Sequence, residues 1–145
     1  MRAAAALLMV CATTLTGFVV RANEKPSDAY QQAMKDLGAA NAKLRADVTQ
    51  IEKDGAYPDY NPIDADVAKL RASFAVALQF WQEKKVEDAA SKIQAVMKYV
   101  DELETARKEK NYDSLMTSAA EIGKSCGGCH AAHRDKLPDG SYEIK

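Results

Sequence analysis

Apolar residues recur along this chain at alternating steps of four and three. From Tyr30 the seam runs through Met34, Leu37, Asn41, Leu44, Val48 and Ile51. That spacing marks one face of a long helix, and here it is held in heptad rhythm. Ser27, just after Pro26, is placed to cap the start, Asp28 suits the first turn, and Asp54-Gly55 ends the run. The segment from Ala56 to Pro62 is rich in turn formers and reads as a connection.

The same rhythm returns three more times. A second helix is expected from about Asp64, with Val67, Leu70, Phe74, Ala77 and Trp81 on its seam, breaking at Glu83-Lys84-Lys85. A third carries Val86, Ala90, Ile93, Met97, Val100 and Leu103, and ends in the cationic stretch Arg107–Lys110, which complements a helix C-terminus. A fourth starts near Asn111 or Asp113 and carries Tyr112, Leu115, Ala119, Ile122, Cys126 and Cys129. It should stop before Pro138, leaving Asp139-Gly140 onward as a tail. Met97 and Met116 read as core residues. Four amphipathic helices with mostly short links predict an all-α, antiparallel, up-down-up-down four-helix bundle, a fold that builds cofactor sites between its helices.

The start of the chain has a different pattern. Met1-Arg2 leads into an apolar run reaching Val20, and Val20-Arg21-Ala22 fits the small-residue rule for cleavage. Residues 1–22 are therefore read as a signal peptide and 23–145 as the bundle domain, exported to the periplasm. The apolar run is short for a membrane span and is diluted by threonines, so no span is expected in the mature chain. Cleavage removes Cys11, Arg2 and Arg21. The 20 basic residues become 18 against 21 acidic, a net −3 that offers nothing to a nucleic acid. No Gly-rich phosphate loop or nucleophile motif appears, and an enzyme is not expected.

The remaining chemistry lies near the C-terminus, in Cys126-Gly127-Gly128-Cys129-His130. This is C-x-x-C-H, the pattern for covalent attachment of c-type haem. Two thiols three residues apart can each add across one vinyl group on the same porphyrin edge, and the adjacent imidazole can then reach the iron. Helical spacing puts Cys126 and His130 on one face. Other readings of these residues exist. A thioredoxin-like redox pair shares C-x-x-C but wants a βαβ context. Structural zinc sites usually take ligand pairs from two separated segments, whereas Cys126, Cys129, His130 and His133 fall within eight residues.

With four helices, a C-terminal Cys126-Gly-Gly-Cys129-His130 and a trailing His133-Arg134, the mature chain resembles the class II cytochromes c, the cytochrome c′ and cytochrome c-556 family. That family usually has an aromatic residue before the trailing basic one; here His133 takes its place. The resemblance implies one covalent haem c per chain, thioethers from Cys126 and Cys129, and His130 as the proximal iron ligand. The two branches differ on the distal side. In the c-556 type a methionine of helix one is the sixth ligand and the protein carries single electrons. In the c′ type the iron is five-coordinate and high-spin and binds NO or CO. Met34, in Ala33-Met34-Lys35-Asp36-Leu37-Gly38, looks like the c-556 methionine; its alternative is an ordinary core methionine. The expected function is periplasmic single-electron transport between transient redox protein partners, with a homodimer possible and a cytochrome c′-like gas-binding protein as the alternative.

Overall fold

Ser27 opens the first helix as its sequence suggests: its Oγ accepts from Tyr30 N at 3.3 Å. The computed structural model describes residues 24–145; the signal-peptide reading of residues 1–22 lies outside the described residues. Helix α1 spans Asp28–Asp54, α2 Pro62–Glu83, α3 Glu87–Glu109 and α4 Tyr112–His133. The links are Gly55–Asn61, Lys84–Val86 and Lys110-Asn111, too short to return a chain to the same end, so neighbouring helices run antiparallel. Each helix packs on the next, and α1 closes the bundle against α4.

Local chemistry explains the helix ends. Helix α2 begins at Pro62, two residues before the expected start. Proline suits the first helical position, where its missing N–H costs nothing. Asp64 lies in the first turn, where it pairs with Arg107 of α3. Asn111 caps α4, its Oδ1 accepting from Ser114 N at 3.1 Å. Lys110, ending α3, holds a left-handed conformation with φ 54°.

The four seams meet in one core. Leu44, Ile63, Leu70, Ala77, Val100, Leu103, Leu115 and Ile122 are fully buried. Truncating one of the leucines to alanine would cost about 2–5 kcal/mol. Two seam residues of α1, Met34 and Asn41, are only half-buried. So are Cys126 and Cys129 of α4. Where α1 faces α4 the apolar seams thus stop short of full burial. Met116 departs from its reading as a core residue: it is 48 % exposed and accepts from the Tyr112 hydroxyl at 3.4 Å.

The C-terminal residues do not form a tail. After α4 the chain makes β1 (Arg134–Lys136) and β2 (Tyr142–Ile144), an antiparallel pair with Arg134 opposite Ile144 and Lys136 opposite Tyr142. Asp139-Gly140 sits in the turn, Gly140 at φ 85°, and Leu137 N donates to Ser141 O at 2.9 Å. Aspartate-glycine is a strong hairpin signal because glycine takes the positive φ without strain. Glu24 adds to the outer edge: its N donates to Ile144 O at 3.2 Å, and Ile144 N donates to Glu24 O at 2.9 Å. Lys145 N reaches back to His133 O at 3.3 Å, which holds the hairpin at the end of α4.

Candidate functional site

Between α1 and α4 two cavities adjoin. The larger, of about 310 Å³, is bordered by Tyr30, Met34, Trp81, Cys129, His130, His133 and residues of the hairpin. The smaller, of about 130 Å³, is bordered by Met34, Leu37, Gly38, Asn41, Phe74, Cys126, Cys129 and His130. Tyr30, Met34, Cys129 and His130 belong to both walls. Together the two spaces reach the size usual for a cofactor pocket, ~300–1,000 Å³.

The sequence motif and the distant methionine therefore converge. Met34 comes from the first turns of α1 and His130 from the last turns of α4, and both side chains border the same space. Cys126 borders only the smaller cavity. Both thiols are free of any disulfide. Burial pushes the Cys126 and Cys129 thiols up, away from the thiolate. Burial likewise lowers the His130 imidazole, and the nearby Arg134 charge adds to that. Both effects favour the neutral imidazole, the form that ligates a metal.

Gly127 and Gly128 are exposed, and a Cβ added at either would meet nothing within 4 Å. Gly38 is more informative. It stands inside α1 between Met34 and Asn41 and borders the smaller cavity, where an added Cβ also meets nothing within 4 Å. A helix-interior glycine costs about 1 kcal/mol relative to alanine, and what it leaves here is space beside the Met34–His130 gap. Asn41 Oδ1 is buried there without a hydrogen-bond partner.

Several residues of this site carried no flag in the sequence. Trp81, 1 % exposed, was legible only as a seam residue. Its Nε1 donates to the Tyr30 hydroxyl at 3.1 Å. Tyr30 also stacks on Phe80, ring centroids 4.1 Å apart. Burial pushes the Tyr30 hydroxyl up to about 12, with the neighbouring Cys129 adding and the Trp81 hydrogen bond and Arg134 opposing. His133 is buried against Trp81 with ring centroids 5.2 Å apart. Its Nε2 lies 2.9 Å from Asp88 Oδ2 without the alignment of a hydrogen bond. His133 thus packs toward α2 and α3. Among the described residues no group of three His, Cys, Asp or Glu side chains is gathered to hold a metal ion.

The donor set fits a c-type haem. It comprises two free thiols three apart, an adjacent imidazole and a thioether across the gap, around apolar space left open by Gly38. An antiparallel four-helix bundle with C-x-x-C-H on its last helix defines the class II cytochrome c arrangement. The chain is a distant relative of that family. It is similar to cytochrome c-556 of Rhodopseudomonas palustris, 28 % identical in an alignment covering 90 % of this chain and 96 % of that protein. No family model matches the chain, and no solved structure matches it.

Proposed function

We propose that this chain is an exported, single-haem class II c-type cytochrome that carries electrons and is not an enzyme. The observation that carries the reading is the convergence of Met34 and His130 on one space beside the two thiols of Cys126 and Cys129. In this reading Cys126 and Cys129 hold the haem through thioethers, His130 is the proximal iron ligand and Met34 the distal one. The bound haem supplies a one-electron ferrous–ferric couple. Imidazole and thioether together favour the reduced state and raise the potential, as suits electron transfer. Tyr30, Trp81 and Phe80 make a rigid, apolar flank that keeps water from the site.

Export follows from the leader-like residues 1–22, with 23–145 as the mature domain and cleavage near Ala22. Covalent haem attachment after export suits a periplasmic location. Among the described residues no helix is long and apolar enough to cross a membrane. Partners in this reading are redox proteins docking transiently through a small, partly polar surface.

The test is expression with a haem-attachment system, followed by a haem stain of the denatured protein and visible spectra of both oxidation states. The stain should be positive in the wild type and lost in the Cys126→Ser/Cys129→Ser variant. The oxidised spectrum should be low-spin with a Met–iron charge-transfer band. An unstained wild-type band overturns the reading. A high-spin spectrum with ready CO binding would instead assign the chain to the gas-binding, cytochrome c′-like branch.

A further inference from the structure

The Tyr30 hydroxyl has one half of its hydrogen bonding fixed. Trp81 Nε1 can only donate, and it donates to Tyr30 Oη at 3.1 Å. The tyrosine oxygen is therefore the acceptor in that bond, and its own proton must go elsewhere. Among the described residues no hydrogen bond given by this hydroxyl is found, and the one carboxylate on the wall of the neighbouring cavity is that of Glu143. Tyr30 is 8 % exposed, so water at the surface does not readily serve. A buried donor left unmatched is costly, and a swing of the ring away from the site is blocked. Phe80 stacks on the ring at 4.1 Å between centroids, and the Trp81 ring meets it edge-on at 5.9 Å.

The direction left to the proton is the larger cavity. Cys129 and Arg134, both on its wall, act electrostatically on the hydroxyl. The same wall carries Lys25 and Lys35. Donors and positive charge thus outnumber acceptors around a space that otherwise looks apolar. Such a wall calls for an anionic acceptor inside it, and a haem carries two propionate carboxylates.

We infer that Tyr30 is a positioning residue whose hydroxyl donates a hydrogen bond to a carboxylate of the attached haem, with Trp81 orienting the donor. This rests on the proposed haem attachment. The arrangement adds a polar anchor on α1 to the covalent anchors on α4.

The test compares haem-loaded wild type, Tyr30→Phe and Trp81→Phe. Covalent loading, read by haem stain, should be unchanged in both variants. Resonance Raman should show the carboxylate-bending band of the wild type shifting in deuterated water. In Tyr30→Phe the band should move to lower frequency and lose that sensitivity. In Trp81→Phe the tyrosine oxygen is released from its partner, so the band should shift but keep its deuterium sensitivity. A merely structural role for Tyr30 predicts an unmoved band, and that result overturns the inference while leaving haem attachment intact. Acetate titration separates a soluble anion from the haem's own carboxylate. A saturable acetate-induced spectral change in the wild type that is absent in Tyr30→Phe would assign the hydroxyl to a soluble anion and overturn the inference. An unstained wild type would overturn both readings.

Discussion

Met34 of α1 and His130 of α4 border both cavities between these helices, although 95 residues of chain separate them. The bundle topology brings them together: α1 closes the ring of helices against α4. In the proposed ligation both side chains would hold the haem iron. Met34→Leu tests this with little harm to the fold, since a swap of such similar volume costs less than about 1.5 kcal/mol. The expected outcome is loss of the Met–iron charge-transfer band, a shift of the oxidised spectrum toward high spin, and a lower reduction potential, with haem staining retained. An unchanged spectrum would show that Met34 is a packing residue.

Gly38 sets the free space next to that pair. Its added Cβ meets nothing within 4 Å, so Gly38→Ala should load haem as the wild type does. Gly38→Leu pushes a branched side chain into the smaller cavity and should reduce the ratio of haem absorbance to protein several-fold. Equal loading of the two variants would mean that the cofactor does not use this part of the space.

Lys110 tests the fold independently of the site. It closes α3 in the left-handed region at φ 54°, which costs a residue with a Cβ about 1–2 kcal/mol. Glycine avoids that cost but loses more entropy on folding. Lys110→Gly should therefore raise stability by roughly 0.5–1 kcal/mol. The Tyr60 hydroxyl donates to the backbone carbonyl of residue 110 at 3.2 Å, a contact the substitution leaves in place. A urea melt showing no gain or a loss would place the value of Lys110 in its side chain.

The sequence made the bundle legible because period and punctuation agreed. Ser27 and Asn111 cap where their positions suggested, and the seams of α1 to α4 became the core. The cofactor motif was legible because C-x-x-C-H has chemistry tied to its spacing. The C-terminal hairpin was missed although Asp139-Gly140 signalled it, since strands of three residues carry no periodicity of their own. The partners of Tyr30, Trp81 and His133 were missed for a different reason. Their contacts join α1, α2 and α4, and a seam pattern shows that a residue faces inward without showing whom it meets. Asn41 and Met34 were indistinguishable from core positions in the heptad; only their partial burial separates them from Leu37 and Leu44.

Asp66 gives a prediction in pH. Its carboxylate is buried, 2 % exposed, on α2 facing Lys43 and Asp47 of α1. Lys43 Nζ reaches its Oδ1 at 3.5 Å, while Oδ2 has no partner. Burial, with the Asp47 carboxyl group adding and Lys43 opposing, raises it from 3.8 to about 6. The folded protein therefore holds this proton more tightly than the unfolded chain. The sign follows from linkage: where the native state binds more protons, stability falls as pH rises. The contribution of Asp66 should decline from about pH 4 to about pH 6 and stay low above that. Asp66→Asn, neutral throughout, should show a stability advantage over the wild type that grows across this window and then levels off. Its size at neutral pH should be about 1 kcal/mol, well short of the full conversion of ~1.4 kcal/mol per pKa unit, because Lys43 reaches this carboxylate from solvent and screens it. Urea melts of the two haem-loaded proteins at a series of pH values measure the difference directly. A difference that stays flat from pH 4 to 7 would mean that Asp66 keeps an ordinary carboxylate's affinity for its proton despite its burial.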